Sequence, residues 1–213
     1  MKELISSGLE ALGLTGSVPP DAAEKLAEYG RLLLEKNQVM NLTAIRDEAG
    51  VARLHMLGCA ALLPCADLTG ARTLLDVGTG AGFPGLPLKI LLPQLDVTLL
   101  DSLNKRVDWL NEVSAQLGLT GVRAIQGRAE EKALEKSMRD SFDLVTARAV
   151  ADLRLLSELC LPFVKVGGRF LSMKSVDSDQ ELDQAAHAIK LLGGRVRDVK
   201  DYAIPGADVT HRL

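Results

Sequence analysis

The residues best placed to do chemistry lie in one run, Leu74-Leu75-Asp76-Val77-Gly78-Thr79-Gly80-Ala81-Gly82-Phe83-Pro84-Gly85. Glycines at this density let a backbone turn tightly and approach a ligand. A helix opening behind them would add free amides and the positive end of its dipole. Two frames fit. Gly80-x-Gly82-x-x-Gly85 matches a dinucleotide fingerprint literally, but Gly80 falls late after the strand and Pro84 occupies the close-packing turn. Asp76-x-Gly78-x-Gly80-x-Gly82 puts a carboxylate at the strand end instead. That carboxylate would repel a pyrophosphate, yet it would organise the loop and neutralise positive charge, which suits a cationic cofactor bearing an amino acid. The order strand, Asp, glycines, helix favours the second frame.

Two further anchors follow at strand ends. Asp101, in Leu99-Leu100-Asp101-Ser102, lies about 20 residues beyond the glycines, where an acid accepts from ribose hydroxyls. This suits NAD and S-adenosylmethionine equally; the other reading is a helix-capping Asp before Asn104-Lys105-Arg106. Gly127-Arg128-Ala129-Glu130 would face an adenine edge with a carboxylate or a backbone amide, unless Glu130 is simply a first-turn acid. Cys59, Cys65 and Cys160 are odd in number and form no Cys-x-x-Cys, and His55, His187 and His211 are scattered. Neither a disulfide framework nor a metal site is expected.

Positioning these anchors requires alternating strands and helices. Short apolar runs at Thr73–Val77, Val97–Leu100, Val122–Gln126, Phe142–Thr146, Arg169–Met173 and Arg195–Asp201 read as strands. Helical stretches lie at 86–92, 105–117, 130–138, 151–165 and 178–192. The alternation predicts an α/β, doubly wound, mostly parallel sheet of Rossmann type over 70–213. Residues 1–69 lack strand-like runs and read as an N-terminal helical region. There Asp21 and Glu24 form a capping-box signature for an amphipathic helix over 21–36. After a polar turn with Asn37 and Asn41, Asp47 opens a second helix ending near Pro64.

These residues resemble the RsmG family, also called GidB. The glycine-proline run continued through Leu86-Pro87-Leu88-Lys89-Ile90 is similar to the family's first motif, and Asp101-Ser102-Leu103-Asn104-Lys105-Arg106 to its second. Asn41-Leu42-Thr43-Ala44-Ile45, Ala147-Arg148-Ala149-Val150 and Leu159-Cys160-Leu161-Pro162 are similar as well, so the resemblance covers nearly the whole chain. It implies a class I S-adenosylmethionine-dependent methyltransferase acting on N7 of one guanosine in 16S ribosomal RNA. By the same resemblance Gly78, Phe83, Ala129, Glu130 and Arg148 contact the cofactor, beside Asp76, Gly80, Gly82 and Asp101. Two positions differ from the family pattern. His55 is followed by Met56-Leu57-Gly58 rather than Asp-Ser, and the closing His211-Arg212 inverts the usual order, so the sheet is expected to be incomplete there or to end in a stub.

The chemistry agrees with this reading. N7 of guanine has an in-plane lone pair and no proton, so methyl transfer needs proximity and orientation rather than a general base. Amino-group methylation commonly uses an Asn/Asp-Pro-Pro-aromatic turn, where this chain has Thr146-Ala147-Arg148-Ala149. Methylation at a pyrimidine carbon needs a cysteine nucleophile, and Cys65 and Cys160 read as core. N7 lies on the deep, narrow major-groove edge of A-form RNA, so the target must sit in a loop or swing out. Arg148 would then bind the cofactor carboxylate or the RNA, unless it is a plain surface residue. Arg46, His55, Lys105, Arg106, Arg128 and Lys174 fall near the same rim, as RNA contacts or solvated charges.

Composition bounds the alternatives. The 213 residues are 47% hydrophobic and 25% charged, which excludes a disordered chain, and no apolar run approaches a membrane span. The N-terminus lacks a secretory signal, so a cytoplasmic, metal-free monomer is expected, with 16S RNA or the small subunit as partner. A net charge of −3 argues against a bulk nucleic-acid binder, but an enzyme acting on one guanosine needs only a local basic rim. A small-molecule methyltransferase of the same fold, a non-catalytic S-adenosylmethionine-binding regulator and an NAD-dependent oxidoreductase are the other readings. The Asp76 frame and the want of a hydride-transfer His or Tyr–Lys pair weigh against the last.

Overall fold

A computed structural model describes residues 1–213 except Thr69, Ala149, Asp177 and the side chain of Asp179. Its strands are β1 (Thr73–Val77), β2 (Asp96–Asp101), β3 (Val122–Gln126), β4 (Phe142–Arg148), β5 (Val164–Ser175), β6 (Asp201–Ala203) and β7 (Thr210–Arg212). They form a seven-stranded sheet in the order β3-β2-β1-β4-β5-β7-β6. Neighbours from β3 to β5 are parallel, and β7 runs antiparallel to both β5 and β6. The strand order reverses between β1 and β4, and in such sheets the crevice beyond the carboxyl ends at that point receives ligands.

Alternate residues of the central strands feed two apolar layers, as a sheet covered on both faces requires. Leu74, Leu99 and Leu144 belong to one buried cluster, and Leu75, Leu100 and Val145 to the other. The first cluster takes in the N-terminal helices, α1 (Lys2–Ala11) and α2 (Ala22–Lys36), through Ile5, Leu26, Tyr29 and Leu33. The N-terminal helices therefore share one core with a face of the sheet. The boundary expected at 69/70 falls at Thr69, outside the described residues.

The helix over 21–36 is present, but its capping box is not. Asp21 makes no side-chain cap and instead pairs with Lys25 at 2.9 Å, while Glu24 pairs with Lys2 at 2.7 Å. Asp47 does cap its helix, accepting from the Gly50 amide at 2.8 Å. That helix is segmented: α3 (Glu48–Gly50), a π-helical stretch Val51–Leu57, α4 (Gly58–Ala60) and α5 (Leu62–Cys65). The remaining helices are α6 (Gly85–Leu91), α7 (Asn104–Gln116), α8 (Ala129–Lys132), α9 (Leu153–Cys160) and α10 (Asp179–Leu191).

Three expectations change. The helix expected over 130–138 stops at Lys132. The one expected over 151–165 gives way to a 3₁₀ turn, Leu161–Phe163, because Pro162 cannot continue an α-helix; β5 already begins at Val164. The strand expected at Arg195–Asp201 is absent before Asp201, and the sheet is finished by the β6–β7 hairpin. The stub expected at the chain's end is β7, three residues long, yet it lies between β5 and β6 rather than at the rim.

Candidate active site

The glycine-rich loop is built around Asp76, which is fully buried at the penultimate position of β1. Its Oδ2 accepts from the Thr79 hydroxyl at 2.6 Å and the Gly85 amide at 3.0 Å, and its Oδ1 accepts from the Thr146 hydroxyl at 3.0 Å. Both ends of the loop and the adjacent strand β4 are thus tied to one carboxylate. Burial nevertheless raises its pKa to about 6, against the lowering effect of those hydrogen bonds. Asp76 organises the loop, as the second glycine frame predicts.

Asp101, at the end of β2, completes the scaffold. Its Oδ2 accepts from the Gly80 amide at 2.9 Å and from Arg106 at 3.4 Å, and its Oδ1 from the Leu103 amide at 3.0 Å. The Gly80 bond links the loop after β1 to the end of the neighbouring strand β2.

A cleft of about 180 Å³ opens beyond β1, β2 and β3. It is lined by Val77, Gly78, Asp101, Ala129, Glu130 and Val150 among others. Gly78 is exposed here with φ +65, and a methyl group on it would lie 2.8 Å from Val150 Cγ2. Both the left-handed backbone and the close approach call for glycine. Arg128 and Glu130 pair across the rim at 3.2 Å, and Glu130 is held below its usual range by its own amide and by Arg128.

The other expected residues lie elsewhere. Gly82 is buried away from the cleft; a methyl there would meet Leu86 Cδ1 and the Tyr29 hydroxyl at 2.7 Å each. Tyr29, entirely buried on α2, donates that hydroxyl to the Ala81 carbonyl and so fastens the N-terminal layer to the loop. The Phe83 ring is only 4% exposed and stacks on His55 at 4.5 Å. Arg148, the last residue of β4, turns toward the same face. Its guanidinium lies over the Phe83 ring at 4.9 Å, donates to His55 Nδ1 at 3.1 Å and reaches the Leu54 carbonyl at 3.5 Å. The adjoining Ala149 lies outside the described residues.

Of the expected RNA contacts, two are occupied internally. The Lys174 ammonium donates to the Ala151 carbonyl at 2.9 Å and pairs with Glu181 at 2.7 Å, so it ties β5 to α10 rather than standing at a rim. His55 is enclosed between Thr43, Arg148 and Phe83, and burial with the Arg148 charge pushes its pKa down to about 3. Arg106 is drawn to Asp101. Arg46 and Lys105 are exposed. Cys160 is buried as expected, whereas Cys65 is only partly buried against the core; Cys59 is buried too, and burial pushes its thiol up to about 12, which suits a core rather than a nucleophilic role. Among the described residues, no three His, Cys, Asp or Glu gather as metal ligands, and no helix is long and apolar enough to cross a membrane.

Tyr29, Thr79, Thr146 and Val150 were not singled out by the sequence reading. Thr79 had a signal, a hydroxyl three residues past Asp76 within the glycine run. Tyr29 and Thr146 had none, since only the fold brings them to the loop.

Residues 22–207 match the family GidB, described as rRNA small subunit methyltransferase G. A ribosomal RNA small subunit methyltransferase G from Alkaliphilus metalliredigens is 45% identical over 212 residues, covering 100% of this chain and 88% of the relative. One from Clostridium perfringens is 41% identical over 211 residues, covering 99% and 87%. Among solved structures, a SAM-dependent methyltransferase from Aquifex aeolicus aligns with a TM-score of 0.53 at 20% identity, covering 75% of this chain and 89% of that one. The likeness shows the class I methyltransferase fold. With family signatures spread from the N-terminal helices to the last hairpin, the chain belongs to the GidB family of small-subunit rRNA methyltransferases.

Proposed function

We propose that the protein transfers a methyl group from S-adenosylmethionine to N7 of a single guanine in the 16S RNA of the bacterial small ribosomal subunit. The observation that carries this reading is the near-full-length match to relatives named for small-subunit rRNA methylation. The site is consistent with it. The cleft at the switch point has an apolar wall in Val77, Ala129 and Val150 and a buried acceptor in Asp101. A carboxylate offers about four lone-pair sites; three on Asp101 are taken by Gly80, Leu103 and Arg106, which leaves capacity for a ribose hydroxyl.

In this reading Gly78, Asp101, Ala129 and Glu130 hold the cofactor. Asp76, Gly80 and Gly82 shape the loop that presents it, and Phe83 and Arg148 border the site on the N-terminal face. When bound, S-adenosylmethionine supplies an electrophilic sulfonium methyl. The protein's own residues orient and enclose; none has to take a proton, in keeping with the buried Cys59 and Cys160 thiols and a neutral His55. Arg46, Lys105 and Arg128 supply a small basic rim for RNA. The same reading makes the protein a cytoplasmic monomer working without a metal.

The test is transfer of labelled methyl groups to small subunits from cells lacking the enzyme, with mapping of 7-methylguanosine. Labelling of one guanine is expected. Cofactor binding without any label in the RNA would overturn the substrate assignment and favour a small-molecule methyltransferase or a regulator.

A further inference from the structure

Between the N-terminal helical layer and the end of β4 runs a continuous chain of polar contacts. Asn37, 5% exposed, clamps the segment after α2: its Oδ1 accepts from the Leu42 amide at 2.8 Å and the Thr43 amide at 3.0 Å, and its Nδ2 donates to the Thr43 carbonyl at 2.9 Å. The clamp sets the Thr43 hydroxyl 2.7 Å from His55 Nε2. The opposite ring nitrogen, Nδ1, lies 3.1 Å from Arg148 Nη2.

Hydrogen-bond chemistry fixes the proton. A guanidinium only donates, so Nδ1 must accept and carries no hydrogen. The single proton of the neutral ring is then on Nε2 and is donated to Thr43 Oγ1. A protonated ring would set an N–H of Nδ1 against an N–H of Arg148. The π-helical stretch contributes the remaining fixed points, since it carries both His55 and the Leu54 carbonyl that Arg148 also reaches. With Phe83 beneath the guanidinium, Arg148 is held from three directions.

We infer that His55, locked as the Nε2–H tautomer by Thr43 and Asn37, is a positioning residue that fixes the Arg148 guanidinium beside the methyl-transfer site. The inference rests on the reading of Arg148 as a residue of that site. It gives the Asn41-Leu42-Thr43 segment a role: it reaches the site through Thr43 and His55. It also replaces the expectation that His55 meets RNA directly.

The experiment combines single and double variants with ring nitrogen NMR on the full-length protein. His55→Ala is expected to lower kcat/KM for methyl transfer to small subunits by on the order of tenfold, the worth of a charge-assisted hydrogen bond. His55→Asn, whose amide oxygen can still accept from Arg148, recovers most of that loss. The double variant His55→Ala/Arg148→Ala is no slower than Arg148→Ala alone, because the two groups act as a unit. In the wild-type protein, the ¹⁵N shifts of His55 report the Nε2–H tautomer, and Thr43→Val mixes the two tautomers. Additive losses in the double variant, no rescue by Asn, or an Nδ1–H tautomer would each overturn the inference; the NMR result stands even if a variant folds poorly. Full activity in Arg148→Ala would instead remove Arg148 from the site, and absence of labelled RNA with wild-type enzyme would remove the substrate assignment.

Discussion

Asp76→Asn isolates one of two buried groups whose titrations oppose one another. Burial raises the Asp76 carboxyl from 3.8 to about 6 although three hydrogen bonds favour its ionised form. A rise of that size corresponds to roughly 3 kcal/mol at pH values above both figures. The sign follows from proton uptake. Between pH ~4 and ~6 the native state binds this proton more tightly than the unfolded chain, so the stability it contributes falls as pH rises, then levels off. His55 does the reverse. Its pKa is lowered from 6.5 to about 3, so stability is lost as pH falls through that interval. Each slope amounts to about 1.4 kcal/mol per pH unit, and between pH ~4 and ~6 they offset one another.

Asparagine removes one of the pair and keeps the shape. Urea unfolding of wild type and Asp76→Asn at about pH 4.5, 5.5, 6.5 and 7.5 therefore gives a stability difference, variant minus wild type, that climbs by about 2 kcal/mol up to pH ~6.5 and is flat beyond. Groups common to both proteins cancel in the difference. Exchanging an acceptor for a donor toward Thr146 adds an offset that does not depend on pH. A difference that is flat throughout would mean that Asp76 has the same pKa folded and unfolded. One that falls with pH would mean that the bonds from Thr79, Gly85 and Thr146 outweigh burial. Either result refutes the reasoning.

Gly78→Ala forces a residue with a Cβ to φ +65, with its methyl 2.8 Å from Val150. The backbone cost is about 1–2 kcal/mol, so the melting temperature should fall by only a few degrees while calorimetry shows at least about tenfold weaker S-adenosylmethionine binding; wild-type affinity would remove Gly78 from the cofactor site. Tyr29→Phe keeps the packing against Phe83 and Trp109 but leaves the Ala81 carbonyl without its donor. A loss of about 1–3 kcal/mol is expected by chemical denaturation, and an unchanged midpoint would show that the hydroxyl does not hold the loop. Lys105→Ala and Arg46→Ala should each weaken small-subunit binding and reduce the slope of log affinity against log salt by about 1. A slope equal to wild type would place the RNA on another surface.

What could be read in the sequence was whatever depends on neighbours along the chain. Leu-rich strands flanked by glycine, the glycine run itself and an acid at the end of the next strand are local patterns, and the parallel sheet with its switch point follows from them. Most of the failures come from residues whose partners are distant in sequence, and one from a competing pair within a single helix, Asp21 with Lys25. Asp21 and Glu24 fit a capping box, yet ion pairs with Lys25 and Lys2 hold both carboxylates elsewhere. Lys174 reads as a rim cation until the fold brings Glu181 of α10 to its ammonium. His55 and Arg148 lie 93 residues apart, so no spacing rule could pair them or reveal the proton that their contact fixes. Gly82 could be recognised as necessary but not explained, because the atoms that exclude a side chain there belong to Leu86, to Leu110 and to Tyr29 on α2.

The N-terminal helical layer acts on both loops that flank the switch point, and from one side. Tyr29 reaches the loop after β1 through the Ala81 carbonyl, and His55 reaches the end of β4 through Arg148. Phe83 joins the two contacts, since its ring lies 5.3 Å from Tyr29 and 4.5 Å from His55. A sheet alone leaves its carboxyl-end loops free to move, because loops have few buried contacts of their own. Here the loop after β1 is pinned twice, by Asp76 from inside the sheet and by Tyr29 from outside it. The helices before β1 therefore help to hold the loop after β1 and the end of β4 in place. Substitutions that loosen the layer at Asn37 or Thr43, far along the chain from the glycine run, should then affect turnover through Arg148 while leaving the cleft lined by Gly78 and Asp101 intact.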